Sequence, residues 1–451
     1  MRTAGPIRIA ISRHWSLAWP LIIANAATPL LGLADAAIAG HLDSAYYLAA
    51  VTVGAELFAV FFGAFNFLRM GTTGLVAQAT GAQNPKIGLE TLGNALLLGL
   101  VIGLCLIGIG WAGIPTALAL ADPAADLVDP LRGYLEIRIY GAPASLMLFA
   151  VSGWLIGLGR TREALYLAVG INAVNILLNF VFAIGLGLNA KGIAIGTVIA
   201  EVLGIFYGFY WVKTLHPQAS IIRLYKPMSE RMLQLLRLNG PLFLRTIALQ
   251  TVFVTLSVYA ARIGVTEAAA VGLFLVLLAT AAYALDGFAF ASEIEAGRQL
   301  GAGQVREFVH GLWAGAIVTV LCTICIIGVI GLFGGSIIEL LTQHTGVQSE
   351  SQRLLQWFGV ILAALCLSYW LDGVFVGLTR SVDMCISMVV ATGLGWFGVL
   401  QLVSTDRVDG LFIAFFSFGV LRTLTLGSRL PAALRQLRSQ AANHPTKYGP
   451  V

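Results

Sequence analysis

The sequence predicts an all-α polytopic membrane protein, with twelve transmembrane helices in two six-helix bundles related by a pseudo-two-fold axis along the membrane normal. Three observations carry this. The 451 residues are 58% hydrophobic and only 11% charged, where a soluble domain carries about 25% charged residues. Apolar runs reaching the roughly 20 residues that a spanning helix needs recur twelve times. The two halves also match at a nearly constant offset.

The runs fall near 14–40, 46–80, 87–119, 131–158, 163–188 and 192–214, then near 231–261, 267–300, 307–340, 353–379, 383–404 and 409–434. Several exceed the bilayer thickness, which predicts tilt, kinks or extension into water. The basic start "MRTAGPIRIAISRHWSLAWP" leads into a long apolar stretch with no small-residue cleavage site, so it reads as a first span that is kept.

The repeat is specific. "GWLIGLGRT" at 153–161 matches "GVFVGLTRS" at 373–381, and Gly81–Ala82 matches Gly301–Ala302, both at an offset of 220. Pro20 maps onto Pro241 at 221, and Gly192 onto Gly410 at 218. Six spans per half is an even number, so both halves enter the membrane in the same direction. The expected organisation is an N-terminal bundle over 1–215, a polar linker over 216–230, a C-terminal bundle over 231–438 and a tail over 439–451. Two parallel bundles around a central cleft suit alternating access, hence a secondary transporter rather than a channel.

Charge sets the orientation. With the N-terminus inside, 18 lysines and arginines face the cytoplasm and five face outward: Arg132, Lys191, Arg262, Arg353 and Arg407. Asp122, Asp126 and Asp129 lie on the outer side. The expectation is a multi-pass protein of the plasma membrane (the bacterial inner membrane), monomeric, with both termini cytoplasmic. The net charge of +5 is thus mostly a topology signal and does not call for nucleic acid. No H-E-x-x-H, nucleotide-binding glycine loop or Walker lysine appears, and the six histidines do not cluster in sequence. No cofactor or metal site is expected. Cys322 and Cys325 form a C-x-x-C that reads as two small apolar side chains on one helix. A membrane enzyme would need catalytic residues clustered at one face, and there are none.

Ionisable groups inside spans mark function by default. In "AATPLLGLADAAIAG", residues 26–40, Asp35 sits in the outer part of span 1, with Thr28 seven residues earlier on the same face. No lysine or arginine of that helix neutralises it inside the membrane. Such a carboxyl holds a proton or a cation but not both comfortably, which is the essence of antiport. Asn172, Asn175 and Asn179 form one polar stripe on span 5, which faces the bundle interior. Thr197 and Glu201 stand one turn apart on span 6. Pro20 and Pro29 bracket the lower part of span 1 and predict a kink that couples to Asp35. In the second half, Asp286 and Glu293 share one face of span 8, and Glu295 lies near Arg298, where a salt bridge is expected. Asp372 lies within span 10. Arg69 and Arg245 are buried cations expected to pair with carboxylates, for which Asp286 and Asp372 are the candidates. Arg138 and Glu136 read as interfacial.

The chain resembles the multidrug and toxic compound extrusion (MATE) transporters, in their DinF-like branch. The resemblance rests on "WPLIIANAATPLLGLADAAIAGHL", "FNFLRMGTTGLVAQATGAQN", "LRGYLEIRIYGAP", "IGLGRTREALYLAVGINAVNILLNFVF" and "ALDGFAFASEIEAGRQLGAG". It implies export of amphiphilic, often cationic small molecules across the lipid bilayer, driven by inward flow of H+ or Na+. It places Asp35, Asn175, Asn179 and Thr197 on a polar site of the N-terminal bundle. Some relatives carry a second acid where this chain has Asn179. Asp372 matches a cation-binding position of another branch, which also uses an acid on span 7, where this chain has Arg245 and Gln250. The expected function is proton-coupled antiport. The alternatives are sodium coupling and a lipid-linked oligosaccharide flippase.

Overall fold

The computed structural model describes residues 4–217, 230–405 and 407–443. Residues 218–229 of the expected linker and 444–451 of the expected tail lie outside them. The described residues are helical, and twelve helical stretches are long and apolar enough to cross a membrane. The first half comprises α1 (Ala4–Gly40), α2 (Ala45–Gly63), α3 (Phe67–Gly81), α4 (Pro85–Ala121), α5 (Ala125–Arg138), α6 (Ala142–Gly157), α7 (Thr161–Asn179) and α8 (Asn189–Leu215). The second comprises α9 (Glu230–Ile263), α10 (Val265–Ala302), α11 (Val305–Leu341), α12 (Thr345–Gly377), α13 (Ser381–Val390), α14 (Val408–Gly427) and α15 (Leu430–Asn443).

The long run expected at 46–80 is two helices. Between α2 and α3 the backbone tightens at Ala64–Asn66, where Phe65 and Asn66 donate to the carbonyls three residues back. The Asn66 side chain then accepts from Arg69 Nε at 3.1 Å, so an asparagine and a buried arginine hold the corner together. The fourth span is bent by a short 3₁₀ turn, Ile139–Gly141, between α5 and α6. The fifth and eleventh spans each finish in π-helical turns, Phe180–Gly185 and Ala391–Gly398. Such turns are rare and concentrate at functional sites.

Two compact units form. One holds Ile23–Val76 and Asn84–Arg237. The other holds Leu238–Val451 together with Met1–Ile22 and Ala77–Gln83. Helix α1 therefore changes unit at Ile22–Ile23, between Pro20 and Pro29, while remaining helical from end to end.

Glycine contacts show the repeat physically. In the first unit a Cβ on Gly153 would strike the carbonyl of Arg69, and one on Gly157 the carbonyl of Thr73. In the second unit a Cβ on Gly373 would strike the carbonyl of Ala289, and one on Gly377 the carbonyl of Glu293. Each partner lies 220 residues after its counterpart. The same two backbones are pressed together in the same register in both units, by small residues as bilayer-embedded helices require. The second unit adds an aromatic core of Phe274, Phe358, Phe412, Phe415, Phe418 and Trp396.

Candidate functional site: a buried acid and its amide partners

The asparagine stripe of α7 turns to α1, as amides in an apolar setting must find partners. Asn172 Nδ2 donates to the carbonyl of Ala27 at 3.0 Å. About two turns further on, Asn179 is fully buried and is the last α-helical residue before the π turn. Its Nδ2 donates to Asp35 Oδ1 at 2.8 Å and to Asn175 Oδ1 at 2.8 Å. Both amide hydrogens are thereby used, while Asn179 Oδ1 is buried without a partner. Gly196 of α8 makes room for this amide, because a Cβ there would collide with Asn179 Oδ1. Asp35 itself is half-buried.

Behind the acid lies a second polar layer. Arg138 and Glu201 form a two-point ion pair, with Nη2 to Oε1 at 2.6 Å and Nη1 to Oε2 at 3.0 Å. The guanidinium carbon also sits over the rings of Phe58 and Phe62, at 5.6 and 5.1 Å. Arg138 is thus a buried cation rather than an interfacial one. Buried Tyr134 lies within electrostatic reach of Asp35, Arg138 and Glu201. Among these groups Glu201 and Arg138 cancel, so the layer's net charge follows the protonation of Asp35. Ionised, the site is an attractor for a cation; protonated, it is neutral.

Other residues singled out from the sequence fall differently. Thr197 is half-buried and donates to Ile193 O at 2.9 Å within its own helix. Thr28 and Pro29 are exposed, whereas Pro20 is buried. None of the three joins the Asp35–Asn179 contact.

In the other unit the acids are differently used. Asp372 Oδ2 accepts from both Arg245 and Arg422, and all three side chains are buried. Arg422 also lies over Tyr369, 5.6 Å from the ring centre. Asp286 completes the electrostatic surroundings of Tyr369, and Glu293 is buried further along α10. Arg422 is a buried partner of Asp372 that sequence reasoning passed over. The signal is there: of 27 lysines and arginines, the charge pattern assigns all but Arg69, Arg138, Arg245 and Arg422 to the two membrane faces. Glu295 meets Arg13 and His14 of α1, a contact that neither the helix pattern nor the loop charges announce.

The repeat reaches the site itself. The Asn172–Ala27 bond has a counterpart in Thr392 Oγ1 donating to Ala248 O at 3.4 Å, and Thr255, 220 residues after Asp35, accepts from Trp396 Nε1 at 2.8 Å, a donor out of register with Asn179. Where the first unit holds an acid, the second holds a neutral hydroxyl plugged by an indole. No group of three or more His, Cys, Asp or Glu that could hold a metal ion occurs among the described residues.

Comparison with known proteins agrees with this architecture. The MatE family model matches residues 20–181 and 241–398. The chain is 36% identical over 421 residues to DNA damage-inducible protein F of Escherichia coli (strain K12), covering 92% of this chain and 90% of that protein. It is 21% identical over 252 residues to the multidrug export protein MepA of Staphylococcus aureus, covering 56% and 55%. Among solved structures, the Vibrio cholerae MATE transporter VcmN in the bent form superposes with a TM-score of 0.85 at 19% identity, covering 97% of this chain and 99% of that one.

Proposed function

The chain belongs to the MatE family of multidrug efflux transporters, and from that premise we propose that it is a proton-coupled antiporter that exports amphiphilic or cationic small molecules by alternating access. The observation that carries this reading is the contact of Asp35 with Asn179. An acid supported by an amide, with no cation bonded to it, exchanges a proton for a cationic substrate.

Facing the cytoplasm, ionised Asp35 favours the substrate. Facing outward, a proton neutralises Asp35 and the substrate leaves. The protonated carrier then returns and gives its proton to the cytoplasm. Moving one charge across 100 mV is worth about 2.3 kcal/mol. One proton exchanged for one monovalent cation moves no net charge and is driven by the pH difference, at about 1.4 kcal/mol per pH unit. Export of an uncharged amphiphile moves one net charge, and at about 150 mV this supplies roughly 3.5 kcal/mol, enough for roughly a 300-fold substrate gradient. The setting is a bacterial inner membrane with both termini cytoplasmic, as the basic residues indicate.

The second unit does not favour sodium coupling, since the carboxylate of Asp372 is already met by two guanidiniums. The same pairing leaves Arg245 and Arg422 engaged, where an oligosaccharide flippase would want them facing pyrophosphate.

The test uses proteoliposomes of the wild type and Asp35→Asn under an imposed proton gradient without sodium, following a fluorescent cation such as ethidium. Proton-driven transport that is lost in the variant supports the reading. Equal transport in both removes Asp35 from the mechanism. Transport only after sodium is added overturns proton coupling, and no transport of the cation under any gradient revives the flippase.

A further inference from the structure

We propose that His14 and Glu295 form a second proton-binding site, at the end of α1 opposite Asp35. Its role in transport rests on the proton-coupled reading above; the site itself stands on geometry.

His14 is fully buried and its ring lies parallel to that of Phe288, 6.4 Å between centres and 8° between planes. Its Nδ1 is 2.9 Å from Glu295 Oε2, and Glu295 is buried too. The other carboxylate oxygen accepts from Arg13 Nε at 2.7 Å. The remaining ring nitrogen, His14 Nε2, is buried with no partner. These placements define two incomplete states. With the imidazole neutral and its proton on Nδ1, Nε2 presents a bare lone pair to an apolar wall. With a proton added, Nε2–H lacks an acceptor, but the imidazolium gains the full charge of the carboxylate. Neither form is locked in. Arg13 compensates Glu295 while the imidazole is neutral; with the imidazole protonated the three groups carry one net positive charge, which the 40% exposed Arg13 side chain shares with the surroundings.

Water has a way in. The Arg13 side chain is 40% exposed. Beside Glu295 a cavity of about 10 Å³ is lined by Ser292, Glu295, Gln299 and Gly311 among others, the size of a single water site. Ser292 Oγ is buried there without a partner. The other charged or titratable groups on the surrounding helices are Glu293 and Arg298 on α10, Arg306, Glu307 and His310 on α11, and Arg435 and Arg438 on α15. Where α12 lines the cavity it offers Val374, which is uncharged. The reaction is proton exchange only: a proton from water adds to an imidazole nitrogen and returns to water. The two sites lie 21 residues apart, about 32 Å along one helix. In the proposed cycle Asp35 carries the transported proton, and the His14–Glu295 pair exchanges a proton of its own with interior water, so that its occupancy sets how transport depends on interior pH.

The experiment is ¹⁵N NMR of ring-labelled histidine in the purified full chain, from about pH 5 to pH 8. His14→Gln identifies the signal, and a chain with His14 as its sole histidine gives the same reading if that variant does not fold. We expect the His14 signal to titrate inside this window, with a midpoint moved by at least about one pH unit, tenfold in proton affinity, in Glu295→Gln. A signal that does not titrate, or one unmoved in Glu295→Gln, overturns the site. In proteoliposomes His14→Gln should alter the dependence of transport on interior pH and leave its dependence on exterior pH intact. Unchanged interior dependence overturns the role in transport. If the imidazole titrates but only sodium drives transport, the coupling reading falls and the site stands.

Discussion

Gly81 and Gly301 face each other across one close helix crossing. A Cβ on Gly81 would run into the carbonyl of Arg298, and a Cβ on Gly301 into the carbonyl of Gln78. The two glycines and the two carbonyls are each separated by 220 residues, so the two contacts of the crossing follow the offset of the internal repeat. Gln78 Nε2 adds hydrogen bonds to Gly377 O at 2.8 Å and to Thr379 Oγ1 at 3.2 Å.

That crossing predicts that Gly81→Ala and Gly301→Ala each destabilise the protein at the upper end of the roughly 1–3 kcal/mol typical of overpacking, because the obstacle is backbone and cannot swing away. Gly328→Ala, where a Cβ meets nothing within 4 Å, should leave the melting temperature in detergent unchanged. Equal melting of all three variants would contradict the close crossing.

Asn179→Ala should slow proton-driven transport by about 10- to 100-fold, the range of a hydrogen bond to a charged group, with the fold retained. Gly196→Ala should impair transport in the same direction without touching either polar residue, since the new methyl collides with the Asn179 amide. Initial rates of ethidium transport check both. Full activity in Gly196→Ala would show that the amide's position is not critical.

Arg138→Ala leaves Glu201, whose side chain is 13% exposed, uncompensated and should cost up to about 3–5 kcal/mol, whereas Arg138→Met with Glu201→Leu should recover most of it. Thermal unfolding of the single and double variants measures the difference. A double variant as unstable as the single would mean that the pair is needed for more than mutual compensation.

Replacing choline by sodium should leave the melting temperature unchanged, since Arg245 and Arg422 already occupy Asp372. A rise that grows with sodium concentration, as ligand linkage requires, would show a cation site that these guanidiniums do not block.

His216, just past the end of α8 and 6.1 Å from the Trp154 ring, has its proton affinity lowered by burial. The unfolded chain therefore binds this proton more readily than the native one. Its contribution to stability is complete above the ordinary histidine value of about 6.5 and is lost as the pH falls through the lower native value. Acid-side melting curves of wild type and His216→Gln should diverge in that window and coincide above it. Curves parallel at every pH would exclude the effect.

Much of this was legible in the residues. Span count follows from hydropathy, and the repeat is explicit in the glycines because a glycine pressed against a backbone admits no substitute. Asp35 and the asparagine stripe stand out because polar side chains are conspicuous in an apolar run. Partner choice is not legible in the same way. Arg245 had two candidate carboxylates, and which one it meets depends on how α9 packs against α12, a long-range outcome that no local pattern records. Glu295 looks like a partner for Arg298 at helix spacing, yet it meets two residues from the other end of the sequence. Arg138 reads as interfacial only while the aromatic faces of Phe58 and Phe62 and the distant Glu201 are out of view.

The contact of His14 with Glu295 closes 281 residues of chain. At about 5–20 residues per second of synthesis, α1 enters the membrane on the order of tens of seconds before its anchor exists. During that interval Arg13 and His14 lack Glu295, so α1 takes its final seat only after α10 has been made. The contact thus ties the seating of one helix to the synthesis of another half a chain away.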